Sequence, residues 1–87
     1  GKGPYRLYYL RTKDGMEVDF AVADRKKIHL IVEVKIGDET LSKPLAAFKE
    51  KLGVPLAFQV VNKVGLCTQK APGLYVIGAD RFLNLLP

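Results

Sequence analysis

From Glu17 to Ala23 the side chains alternate strictly. Val18, Phe20 and Val22 fall on one side and Glu17, Asp19, Ala21 and Ala23 on the other, which is the period of a half-buried β-strand. Tyr5 to Thr12, rich in Tyr and Leu, predicts a strand before it, and Lys13-Asp14-Gly15 supplies the Asp-Gly pair of a hairpin turn joining the two. After the polar turn Asp24-Arg25-Lys26-Lys27, Ile28 to Lys35 is a nearly continuous β-branched run. That pattern predicts a central strand covered on both sides. Its parity places Ile28, Leu30, Val32 and Val34 on one face, and His29, Ile31, Glu33 and Lys35 on the other.

The period then changes. Gly37 to Thr40 is a loop, Ser42 offers an N-cap, and Pro44 stands in the first turn, where its missing N–H does no harm. Leu41, Leu45, Phe48 and Leu52 recur at helical spacing, with Lys49 and Lys51 in the last turn and Gly53 as C-cap. These signals predict a helix from about Ser42 to Leu52 that lays Leu45, Phe48 and Leu52 on the sheet. Pro55 to Val61 reads as a fourth strand, so the order strand, helix, strand predicts a right-handed parallel crossover. Lys63 to Pro72 reads as irregular, Leu74 to Ile77 as a short fifth strand, and Asp80 as the cap of a terminal turn running through Leu86. The expected fold class is α/β: a mixed sheet made of a three-stranded antiparallel meander, a helical crossover and a further strand, with one main helix.

Composition narrows the function classes. A chain of 87 residues, 48% apolar and 26% charged, holds one globular core and is neither disordered nor a coiled coil. Its longest charge-free stretch, Leu52 to Asn62, contains Gly53, Pro55 and Gln59 and falls short of the ~18 apolar residues of a membrane span. The single Cys67 and single His29 exclude an internal disulfide framework and a Cys/His zinc cage. A soluble domain of the reducing cytoplasm is the expectation. The net charge of +5 favours polyanionic partners, but the basic residues are spread evenly and form no tail. Residues 1–4 read as a linker, and 5–87 as a single domain cut from a longer protein.

Asp19, Glu33 and Lys35 share one face if the second strand pairs with the third. Two carboxylates from neighbouring strands are the hard oxygen ligands that Mg²⁺ prefers, and a Lys two residues beyond one of them can hold or deprotonate a water beside the metal. Such a trio suits phosphodiester hydrolysis; a surface ion pair of Lys35 with Glu33 or Glu17, worth ~0 to 1 kcal/mol, fits the same residues. Glu17 is a possible accessory acid. His29 lies some 13 Å from Glu33 at ~3.3 Å per residue and reads as structural. Arg11, Lys13, Arg25, Lys26 and Lys27 are candidate phosphate contacts, Tyr5, Tyr8 and Tyr9 read as packing rather than base-stacking residues, and Cys67 carries no assigned role.

Glu17-Val18-Asp19-Phe20, followed by an apolar strand ending in Glu33-Val34-Lys35, resembles the PD-(D/E)XK nuclease superfamily, with its restriction-endonuclease-like core. More narrowly, Tyr8-Tyr9-Leu10-Arg11-Thr12 leading through Asp14-Gly15 to that Glu-Val-Asp-Phe is similar to the C-terminal, nuclease-like domain of uncharacterised bacterial and archaeal AAA-type ATPases. The resemblance spans roughly Tyr5 to Val61. It implies Asp19 and Glu33 as metal ligands with the Val34 carbonyl as a third, Lys35 as the catalytic lysine, Mg²⁺ as cofactor, DNA as partner and an N-terminal ATPase domain in the parent chain. Two departures stand beside it: superfamily members usually begin with a helix, whereas this chain starts at the first strand, and many have kept the fold without catalysis. A non-catalytic DNA- or protein-interaction module is therefore the alternative expectation. No Walker motif occurs in the chain, so no ATP site is expected here.

Overall fold

The computed structural model describes residues 6–9, 19–36 and 40–85, the side chains of 7–9 excepted. Six strands and two helices follow in the order β1 (Arg6–Tyr9), β2 (Phe20–Ala23), β3 (Ile28–Lys35), α1 (Lys43–Leu52), β4 (Leu56–Val61), β5 (Cys67–Ala71), β6 (Leu74–Gly78) and α2 (Ala79–Leu85). They form one mixed sheet of order β1-β2-β3-β4-β6-β5. β1, β2 and β3 make the antiparallel meander, β4 runs parallel to β3 across the α1 crossover, and β6 runs parallel to β4. β5 closes the far edge as the antiparallel partner of β6.

Helix α1 begins and ends as its local chemistry dictates. The Ser42 hydroxyl accepts the Leu45 N–H at 3.2 Å, Pro44 sits in the first turn, and Gly53 stops the helix with φ at +67°, a left-handed conformation that glycine adopts without strain. One core lies between α1 and the sheet, built from Ala21, Ile31, Leu45, Val54, Ala57 and Leu74, with Phe48 packed against it. The other lies under α2, built from Val32, Phe58, Val60, Ile77 and Phe82. There the Phe58 ring stacks on Tyr75 at 5.5 Å and meets Phe82 at 5.4 Å. β3 contributes Ile31 to one core and Val32 to the other, as a central strand must.

Four expectations need correction. Residues 63–72 are not irregular throughout: β5 occupies Cys67–Ala71, with every side chain exposed, so an edge strand held by backbone pairing carries no apolar alternation to read. Asp80 does not cap a terminal turn. It lies in the first turn of α2, and its carboxylate accepts the Gly65 N–H at 3.1 to 3.2 Å, tying the β4–β5 loop to the helix. Leu52, the last residue of α1, is 42% exposed and leaves the covering of the sheet to Leu45 and Phe48. Ile28 packs with the α1 core rather than with Leu30 and Val32. A register shift pairs Ala23 with Ile28 directly after Val22 with Leu30, so His29 is a bulge residue and the strand's parity resets around it. The Lys13-Asp14-Gly15 turn and the loop at 37–39 lie outside the described residues.

Candidate functional site

At the end of β2 and β3 away from their connecting turn, the ladder leaves Asp19 beside Glu33, one step beyond the pair Phe20 and Val32. The Asp19 N–H donates to the Val32 carbonyl at 2.9 Å, and the Asp19 Oδ2 accepts the Val34 N–H at 2.6 Å. Backbone and side chain of one aspartate therefore bracket Glu33. Phe20 and Val32 enter the α2 core and Ala21 and Ile31 the α1 core, so along β3 Glu33 and Lys35 follow Ile31 to the α1 side, while Asp19 lies one residue outside the paired stretch and reaches the tip through its bond to Val34. Glu33 is only 4% exposed, whereas Asp19 is exposed and Lys35 half-buried. A strand residue turns its N–H and C=O toward the same edge, so the Val34 carbonyl faces the side from which Asp19 approaches.

The β3–β4 register then sets Glu33 against Gln59 and Lys35 against Val61. Gln59 is fully buried in the middle of an apolar strand. Its Oε1 accepts the Ser42 N–H at 2.6 Å and its Nε2 donates to the Thr40 carbonyl at 2.8 Å. Reading the sequence for charges passes over this residue; the available signal was an amide side chain inside an otherwise apolar run.

A family model for a domain of unknown function, DUF4143, matches residues 1–78, which takes in all six strands and every residue of this cluster. The chain belongs to the DUF4143 family. No curated protein and no solved structure matches it.

In this DUF4143 chain the opposite end of the β2–β3 pair is organised differently. Asp24 accepts the N–H groups of Lys26 and Lys27 on Oδ1 at 2.7 and 3.0 Å, and its Oδ2 meets His29 Nε2 at 2.7 Å. The His29 hydrogen bond, helped by those two amides, holds the Asp24 carboxyl down at about 2. His29 thus braces the turn. Arg25, Lys26 and Lys27 are exposed there; Lys27 lies eight residues from Lys35, or about 26 Å at ~3.3 Å per residue. Arg11, Lys13, Glu17 and Tyr5 lie outside the described residues, as do the side chains of Tyr8 and Tyr9. Cys67 is exposed on β5, at the rim of an apolar cleft of about 410 Å³ lined also by Leu30, Leu56, Tyr75 and Leu85.

Among the described residues no three His, Cys, Asp or Glu side chains gather as a metal cluster. The donors at the tip of β3 are two carboxylates and a carbonyl, all hard oxygens, which is the set from which Mg²⁺ takes one or two protein ligands while keeping several waters. A carboxylate as buried as Glu33 is costly to maintain unless hydrogen bonds or a cation stabilise its charge. The donor set therefore fits a hydrated divalent cation. No helix among the described residues is long and apolar enough to cross a membrane.

Proposed function

We propose that this domain is a nuclease-like module that holds a divalent metal ion on Asp19 and Glu33, with the Val34 carbonyl as a further oxygen, and acts on DNA with Lys35 as the catalytic lysine. The observation that carries the reading is the 2.6 Å bond from the Val34 N–H to the Asp19 carboxylate, which ties the acid of one strand to the Glu33-Val34-Lys35 tip of the next. When bound, the metal would supply charge stabilisation on the phosphate and a more acidic attacking water. The protein's own part is to keep Asp19 in place through the Val34 amide, so that little reorganisation is needed, and to present the Lys35 ammonium to a water or to the phosphoryl oxygens. The exposed Lys27, about 26 Å away, with Arg25 and Lys26 in the same turn, would meet phosphates some seven to eight base-pair steps along a duplex rising ~3.4 Å per step. An N-terminal ATPase domain in the parent chain belongs to the same proposal.

A second reading, a DNA- or protein-interaction module without catalysis, draws on the same bond. An Asp19 carboxylate already engaged by a backbone N–H is partly stabilised without a metal.

Titration with Mg²⁺ or Mn²⁺, followed by amide resonances, tests the metal. Signals of Asp19, Glu33, Val34 and Lys35 are expected to move together, and Asp19→Ala to abolish the response. Scattered shifts across the surface refute the metal site. In a longer parent chain, cleavage of DNA that disappears with Lys35→Ala supports the enzyme, while affinity without cleavage supports the interaction module.

A further inference from the structure

Gln59 presents a physical problem that its neighbours do not. A side-chain amide at 0% exposure is costly to bury, and an aliphatic residue such as Val60 or Val61 beside it would pack the strand without that cost. Its polar atoms are matched to two backbone groups 17 and 19 residues away in sequence, the Ser42 N–H and the Thr40 carbonyl. Both belong to the segment that brings the chain back from Lys35 to α1. β3 ends at Lys35, paired with Val61, and Gln59, two positions before Val61 and paired with Glu33, grips the chain again at Thr40 and Ser42. Ser42 is also the N-cap of α1, so the same grip sets where the helix begins. The first turn of α1 carries no acidic side chain, and its positive end is brought to the strand pair that holds Glu33.

We propose that Gln59 is the positioning residue of the Asp19, Glu33 and Lys35 site: a two-point clamp on Thr40 and Ser42 that fixes the start of α1 against the β4 position paired with Glu33, and thereby the Glu33-Val34-Lys35 tip. The role rests on the metal reading given above. Partners one step removed from a metal, which orient its ligands, typically change its affinity 10- to 100-fold when lost.

The test uses two variants and a control. Gln59→Met removes both polar atoms at nearly constant volume, Gln59→Asn keeps the amide but is too short to hold both partners, and Phe82→Ala destabilises the core under α2, on the other face of the sheet from the clamp. Mn²⁺ affinity is expected to fall about 10- to 100-fold in Gln59→Met and by less in Gln59→Asn, with Ser42 amide exchange accelerated in both. In the folded fraction of Phe82→Ala the Mn²⁺ affinity is expected to match the wild type, which separates positioning from general loss of stability. Wild-type Mn²⁺ affinity in a folded Gln59→Met overturns the proposal. If that variant does not fold, wild-type affinity in Gln59→Asn with an unprotected Ser42 amide overturns it equally. A wild-type domain that takes no Mn²⁺ refutes the metal reading instead. The clamp is then judged on the Glu33, Val34 and Lys35 amide resonances, standing if Gln59→Met moves them and falling if they stay in place.

Discussion

Asp24 and Asp19 stand at opposite ends of β2, and each accepts backbone N–H groups, yet the two ends of the strand pair are built to different purposes. At the turn, both oxygens of Asp24 are taken by donors within five residues in sequence: the Lys26 and Lys27 amides and the His29 ring. That end is closed on itself. At the open end, Asp19 engages one oxygen with Val34, fifteen residues on, and its Oδ1 takes no hydrogen bond among the described residues. Beside it a second carboxylate, Glu33, is buried, and a lysine follows two positions later. A carboxylate surrounded by local donors serves the turn. At the open end two carboxylates meet near a strand tip instead, one of them buried, and buried carboxylates of this kind concentrate at functional sites.

The largest expected effect tests what the two ends share. Leu45 is fully buried where α1 meets the sheet, and Leu45→Ala is expected to destabilise the domain by about 2 to 5 kcal/mol in denaturant unfolding. Amide exchange should rise in the turn and at the site alike; acceleration confined to one end would mean the two are not supported by a common core.

Glu33→Gln is the sharper probe of the open end. If Glu33 serves function, Glu33→Gln, which keeps the side chain's size and removes its charge, is expected to lose divalent binding at a far smaller stability cost than Leu45→Ala. A loss of stability comparable to that of Leu45→Ala would make Glu33 a structural residue and erase the contrast.

The smallest effect is expected at the turn, and it depends on pH. The Asp24 carboxyl is held at about 2 in the folded chain against an ordinary 3.8, so the unfolded chain binds this proton more readily. Its stabilising contribution is therefore complete above about pH 4 and is lost as the pH falls toward about 2. Asp24→Asn should melt below the wild type at neutral pH, and the gap should narrow across that acid window. A gap that stays constant from pH 6 to pH 2 would show that the charge of Asp24 does not brace the turn.

The sequence by itself determined those elements whose signals are local. Alternation through Phe20 and Val22, the β-branched run into Val34, and the Ser42, Pro44 and Gly53 boundary residues of α1 each express a period or a cap completed within a few residues, so the chain states them wherever it folds. That β2 pairs with β3 was legible for the same reason, and it brings Asp19 near the Glu33-Val34-Lys35 tip, where its carboxylate meets the Val34 N–H. Only the tertiary structure decided the rest. β5 exists because β6 offers it a backbone edge, although Cys67 to Ala71 bury nothing. The bulge at His29 resets the parity of Ile28, and no residue type in the run announces it. Asp80 finds its donor in Gly65 and Gln59 finds Thr40 and Ser42, partners fifteen to nineteen residues away. Hydrogen bonds over such separations depend on how strands and loops are stacked, and that stacking follows from the burial of the whole sheet rather than from the residues that make the bond.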